Sequence, residues 1–237
     1  MNQFDRDIEN HGQYIYTRPE LLSARLANIR NTRAIISIAQ PAHTNILDIG
    51  CGDGTFTADL ARIWPHSNIL GIDISASAIH RAQDTYFLPN LKFQFLHHAH
   101  TLPFDTNRFN LAILRGTLHH ARSPRLIFYE STRVASNVVL LEPNGNSPVL
   151  KFIEHWSSYH RDHNEMSFSP ATFTRWARST DATLINHAYA GLVPTFCSDR
   201  WAWTLSLLEP LAEHLPFFRR YLCRVYLAYF SKLIPKE

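Results

Sequence analysis

Cysteine, glycine and lysine are all scarce in this chain of 237 residues. Its three cysteines, Cys51, Cys197 and Cys223, are odd in number, widely spaced and never arranged as CxxC, which argues against a disulfide framework and a thiolate zinc site. Lysine is confined to Lys92, Lys151, Lys232 and Lys236, and 23 basic against 20 acidic residues leave a formal charge of +3. Such a balance is too weak to wrap a polyphosphate, so no nucleic-acid partner is expected. No apolar run approaches the ~20 residues needed to cross a bilayer; the longest near the C-terminus is Val225 to Phe230. The opening segment, MNQFDRDIENHG, is polar and acidic where an export signal would begin basic and turn apolar. The expected setting is a reducing cytoplasm. Repeats and low-complexity linkers are missing as well.

What is present is 45 % hydrophobic and 18 % charged residues, enough apolar material for a folded core. Against the scarcity of glycine, Gly50, Gly52 and Gly54 fall within five residues, directly after the apolar run Asn45 to Ile49. The run reads as a buried strand, and Thr55 to Trp64 has helical spacing at Phe56, Leu60, Ile63 and Trp64 before Pro65 ends it. The alternation continues: strand 68–73, helix 75–86, strands 91–97 and 109–115, helix 123–135, strand 137–142. This pattern predicts a Rossmann-like, doubly wound, mostly parallel α/β sheet. Residues 1–44 are expected to add an N-terminal helical cap, with an amphipathic helix over Pro19 to Gln40. The core is expected over 45–196, with a helical insertion at 148–180 and a strand at 182–190. Residues 197–237, rich in Trp, Leu, Phe and Tyr and broken by Pro210 and Pro216, are expected to form apolar C-terminal helices.

A glycine turn between strand and helix lets a ligand approach bare backbone. Asp48 precedes this turn inside the first strand, and Asp73 closes the second in Leu70-Gly-Ile-Asp-Ile-Ser75, where an acid can bind both hydroxyls of a ribose. The glycines are spaced GxGxG, not the GxGxxG of dinucleotide oxidoreductases, which remain the rival reading. With LDIGCGxG and GxDxS in this order, and Leu102-Pro-Phe104, Phe109-Asn-Leu111, Leu118-His-His120 and Glu142-Pro143 following, residues 45–145 resemble the class I S-adenosylmethionine-dependent methyltransferases of small-molecule type.

The resemblance implies S-adenosyl-L-methionine as cofactor and S-adenosyl-L-homocysteine as product. It implies that Gly50, Cys51, Gly52 and Gly54 face the methionine part, that Asp48 orients its amino group, and that Asp73 holds the ribose. Asp48 as a cap of the turn and Asp73 as a helix N-cap are the plainer alternatives. The implied contacts extend to Ile74, Ala99 and Arg115, with Tyr16 and Arg18 on an N-terminal segment closing over the cofactor. The chain departs from the family's pattern where His98 replaces an adenine-facing acid and Asn110 replaces an aspartate.

Methyl transfer needs positioning above all, and a base only where the acceptor carries a proton. Among 14 histidines, His119, His160 and His163 are the candidate acid–base residues. No acidic cluster suggests a metal. The amino-methylating motif [DNS]PP[FY] is missing, and so is a Pro-Cys nucleophile. The expected function is methylation of a small, apolar or lipid-like acceptor, at oxygen first. An RNA or protein methyltransferase and a cofactor-binding inactive partner subunit are the alternatives. Pro216 to Lys232, apolar and aromatic with interspersed arginines, suggests a peripheral membrane contact or lid, with packing on the sheet edge or in a homodimer as the plainer reading.

Overall fold

A computed structural model describes residues 14–39, 44–156, 166–195 and 197–232. Its centre is a seven-stranded sheet of β1 (Asn45–Ile49), β2 (Asn68–Asp73), β3 (Leu91–Phe95), β4 (Phe109–Arg115), β5 (Ala135–Pro143), β6 (Thr183–Ala190) and β7 (Val225–Ser231), in the order β3-β2-β1-β4-β5-β7-β6. The first five strands are mutually parallel, and β7 runs antiparallel between β5 and β6. The helices are α1 (Leu22–Ile38), α2 (Thr55–Ile63), α3 (Ala76–Thr85), α4 (Pro124–Val134), α5 (Pro148–Trp156), α6 (Pro170–Ala177), α7 (Asp199–His214) and α8 (Pro216–Tyr221), with short 3-10 turns at Ile15–Thr17 and Leu118–His120. The doubly wound, mostly parallel sheet is the one expected from the alternation of elements.

Strand periodicity divides the core into two layers. Ile46, Leu111, Ile113, Val139 and Leu227 face one side, against Ile35 and Ile38 of α1, Leu60 of α2 and Ile79 of α3. Leu47, Ala112, Leu114, Leu140 and Ala228 face the other, against Phe128 of α4 and Phe173 of α6. On that second side Phe173 stacks on Tyr226, and Phe128 meets Phe230 edge to face, their centroids 5.3 Å apart.

One expectation is overturned. The C-terminal segment does not end in apolar helices: Val225–Ser231 is a strand, buried along its whole length and hydrogen-bonded on both edges. A short apolar run of this kind fills a two-sided strand position as well as a helix, and periodicity does not separate them. The helical part of the segment is confined to α7 and α8. At the other end α1 is shorter than its predicted span and lies across a sheet face, touching β5, β6 and β7.

Strand order reverses between β1 and β4, which leaves a crevice beyond the carboxyl ends of the strands at this switch point.

Candidate active site

The crevice is an open cleft, floored by Gly50 and Gly52 after β1, by Ile72, Asp73 and Ile74 at the end of β2, and by Gly116 and Thr117 after β4. Three alternate positions of the first turn, Gly50, Gly52 and Gly54, have φ of +79°, +57° and +78°, a region that side-chain-bearing residues rarely enter. Space forbids a side chain too. A Cβ on Gly50 would sit 2.6 Å from the Thr117 side chain, and one on Gly52 would sit 3.0 Å from the Tyr14 ring.

Asp73 organises this floor. Its carboxylate accepts from Gly52 N at 2.9 Å through Oδ2 and from Ser75 N at 2.8 Å through Oδ1, so one side chain locks the glycine turn to the start of α3. Ser75 itself caps α3 by accepting from Ala78 N. Asp73 therefore lines the cleft, and the N-cap of α3 is Ser75 and not Asp73.

Tyr14 and Tyr16, stacked at 5.2 Å, form one wall of the cleft. Their segment is tied down by Asp53, a residue that the sequence did not single out. Its carboxylate is buried and accepts from Thr17 Oγ1 at 2.8 Å and from Thr55 Oγ1 at 2.8 Å, linking the N-terminal segment to the start of α2. Asn28 of α1 adds a bond from its side-chain amide to Tyr16 O. The signal was present as an acid inside the glycine turn, but nothing local indicates that its partner lies 36 residues upstream.

Several anticipated contacts are placed elsewhere. Asp48 does not line the cleft; it is buried beneath the turn and accepts from Thr57 Oγ1 at 2.6 Å, which joins β1 to α2. Cys51 and Gly54 face inward as well, Gly54 against Phe93 and Ala82. Arg115 stacks over Phe56 at 3.7 Å and donates to Thr32 Oγ1 of α1, a structural tie at the end of β4. Burial draws its guanidinium down to about 10. Arg18 is not among the lining residues, nor is His98, which is exposed on the loop after β3, whereas its neighbours Leu96 and Ala99 do line the cleft. His160 and His163 lie outside the described residues.

The histidine pair after β4 divides its roles. His120 lines the cleft, and His119 stands behind it with ring centroids 3.8 Å apart. Glu142, fully buried at the end of β5, accepts from Thr117 N and Leu118 N, both at 2.8 Å, and from His119 N at 3.2 Å. The same carboxylate meets His119 Nδ1 at 2.8 Å. A carboxylate surrounded by donors accepts here too, so His119 carries its proton on Nδ1. His119 is thus a pinning residue, and the imidazole exposed to the cleft is that of His120.

Burial raises the Asp48 carboxyl from its ordinary value to about 6, against the smaller opposing effects of Thr57 and Arg115. In the unfolded chain it titrates near ~3.9. Below about pH 4 both states are protonated; between about 4 and 6 only the unfolded chain releases the proton, so rising pH erodes stability until the cost levels off above about 6. Asp48→Asn, which keeps an acceptor for Thr57, should raise the urea midpoint at pH 8 by the equivalent of about 2 kcal/mol and change it little at pH 4. Equal shifts at both pH values would reject this account.

Residues 46–137, which hold the glycine turn and β1 to the start of β5, match a family described as a methyltransferase domain. A malonyl-[acyl-carrier protein] O-methyltransferase of Legionella pneumophila is 30 % identical over 93 residues, 39 % of this chain and 33 % of that protein. A trans-aconitate 2-methyltransferase of Deinococcus radiodurans is 38 % identical over 71 residues, 30 % of this chain and 26 % of that one. The chain spans about a third and about a quarter of these two relatives. Among solved structures, the methyltransferase in complex with the Trm112 methyltransferase activator of Haloferax volcanii has a TM-score of 0.71 at 15 % identity, covering 98 % of both chains. Geranyl diphosphate C-methyltransferase of Streptomyces coelicolor, solved with Mg²⁺, geranyl diphosphate and S-adenosyl-L-homocysteine, has a TM-score of 0.62 at 13 % identity and covers 88 % of this chain and 78 % of its own. At such identities the likeness shows a shared fold.

Proposed function

We propose that this chain, whose core is a class I S-adenosylmethionine-dependent methyltransferase domain, transfers a methyl group to a small, uncharged, largely apolar acceptor, at oxygen. The observation that carries the reading is the bare backbone of Gly50 and Gly52, joined to Asp73 through Gly52 N, on the floor of a cleft walled by Tyr14 and Tyr16. S-adenosyl-L-methionine, when bound, supplies a methyl group on a sulfonium that leaves as the neutral thioether of S-adenosyl-L-homocysteine. These residues fit it: Gly50 and Gly52 present bare backbone to the cleft, Asp73 would accept hydrogen bonds from ribose hydroxyls, and Ile74, Leu96 and Ala99 would offer apolar surface to the base.

The acceptor class follows from what else lines the cleft. Beyond the glycine turn it offers Tyr14, Tyr16, Ala121 and Ile127, and no arginine or lysine among the described residues. A carboxylate acceptor would find no cation there, whereas a hydroxyl on an apolar frame would find His120. A hydroxyl acceptor placed there would lose its proton to His120, behind which the Glu142-pinned His119 is packed.

The test supplies cofactor together with a metabolite extract, an RNA pool or a protein pool, and follows release of S-adenosyl-L-homocysteine. Release with the extract alone is expected. Release only with RNA or protein overturns the acceptor assignment, and cofactor binding without turnover on any pool makes the chain an inactive partner subunit. His120→Ala should then lower kcat by about 100-fold, the lower end of general-base contributions, with cofactor affinity unchanged within about threefold. Unchanged kcat would remove His120 from the chemistry.

A further inference from the structure

We infer that the outward face of α7 and α8 docks the protein on an anionic lipid surface. The observation is an inverted amphipathic helix. α7 turns Ala202, Glu209 and Ala212 inward, where they are buried, while Trp201, Trp203, Leu207 and Leu211 stand outside. At 100° per residue these four, with Leu208 and Leu215, cover an arc of roughly 160°. Trp201 is 62 % exposed and Trp203 61 %, and the stripe continues onto α8, where Phe217 is 68 % exposed and Phe218 also stands in the open. A run of two tryptophans, two phenylalanines and several leucines is far more than the scattered apolar residues that an ordinary surface carries.

The inner face explains why the outer one is free. Glu209 accepts from Leu192 N at 2.8 Å and Val193 N at 3.2 Å, and Glu213 accepts from Gly191 N at 2.9 Å and pairs with Arg30 of α1. These bonds clamp α7 by its inner face to the loop after β6 and to α1, and among the described residues the stripe is left exposed. They also decide the charge. Both glutamates of the helix are consumed inside, which leaves Arg200, Arg219 and Arg220 exposed against the single exposed acid Asp199. The surface therefore pairs aromatic mass with cations, the combination that seats in a lipid interface whose headgroups are negative. A second copy of this chain would bring the same cations against themselves.

The placement suits the cleft. α7 leaves the sheet at the end of β6, and α8 returns the chain to Val225, which pairs with Pro143 at the carboxyl end of β5. The stripe lies at the end of the sheet that carries the cleft, where an apolar acceptor would arrive from a bilayer. The docking surface is independent of the methyl-transfer reading and is tested without turnover.

The test is cosedimentation of the full chain with vesicles of phosphatidylcholine alone or mixed with phosphatidylglycerol. Binding to the mixed vesicles is expected, weakened severalfold on raising salt from about 0.05 to 0.5 M because the arginines are screened. The double variant Trp203→Ser with Leu207→Ser should bind at least about tenfold more weakly, and so should Arg219→Gln with Arg220→Gln, which should also lose the salt dependence. Calorimetry with S-adenosyl-L-homocysteine, alongside an unchanged urea midpoint, confirms that the variants are folded. Absence of vesicle binding by the wild type overturns the inference, as does binding that both variants retain. A concentration-dependent dimer that the Trp203 and Leu207 changes dissolve, without vesicle binding, would assign the face to a second copy instead.

Discussion

Leu227→Asp should leave the protein without a cooperative unfolding transition at 25 °C. Leu227 is fully buried at the middle of β7, paired with Leu141 of β5 on one edge and Ala188 of β6 on the other, and it packs in the layer that includes Val139 and Ile113. A carboxylate there would be desolvated among apolar neighbours, and a buried polar group left unpaired costs several kcal/mol by itself. That is comparable with a whole domain's stability of ~5 to 15 kcal/mol. Leu227→Ala should cost about 2 to 5 kcal/mol and remain folded, read as a lowered urea midpoint with an unchanged slope. Phe217→Ser, on the exposed side of α8, should stay within about 0.5 kcal/mol. If Leu227→Asp unfolded as cooperatively as the parent chain, β7 would not be a central strand.

The consequence reaches the C-terminal segment as a whole. As a lid, Pro216 to Lys232 would be dispensable to the sheet. Because Val225–Ser231 joins β5 to β6, deleting this segment removes a strand from inside the sheet and exposes both of its neighbours. The exposed apolar mass belongs instead to Asp199–Tyr221, where α7 continues through Pro210 and only Pro216 starts a new helix, and the outward stripe is visible only once the inward face is known.

Elements whose local chemistry is self-sufficient were legible in the sequence. β1, β2 and β4 have the predicted bounds, because each is an apolar run closed by glycine, aspartate or arginine at its carboxyl end. The glycine turn was legible for the same reason: three glycines in a glycine-poor chain need a backbone that side chains cannot adopt. Residues whose roles depend on distant partners were not. Asp48 and Asp53 are both acids at the same turn, yet one is spent on Thr57 beneath it and the other on Thr17, far upstream. Arg115 was read as facing the cofactor, but its neighbour in space is Phe56. His119 and His120 are adjacent in sequence and differ only in that the peptide turn points one towards Glu142 and the other into the cleft, an orientation fixed by bonds across 23 to 25 positions.

Asp73→Ala should weaken S-adenosyl-L-homocysteine binding by about 10- to 150-fold, the loss of about 1.5 to 3 kcal/mol that follows removal of hydrogen bonds to a charged acceptor. Asp73 is asked to do two things. A carboxylate accepts at about four positions, so bonds to Gly52 and Ser75 are compatible with a ribose contact at the same side chain. Alanine therefore removes a ligand contact and also releases the Gly52 amide, on which the shape of the cleft floor depends. The two effects are separable by measurement. Urea unfolding reports the structural part, about 1 to 3 kcal/mol for acceptors withdrawn from partly buried amides, while calorimetry at a temperature where the variant is folded reports the binding part. Asp73→Asn should sit between parent and alanine in both, because its amide nitrogen presents a donor to one of the two backbone N–H groups and cannot accept from it. A folded Asp73→Ala protein that binds S-adenosyl-L-homocysteine within about twofold of the parent would place the cofactor outside this cleft and remove the basis of the methyl-transfer reading.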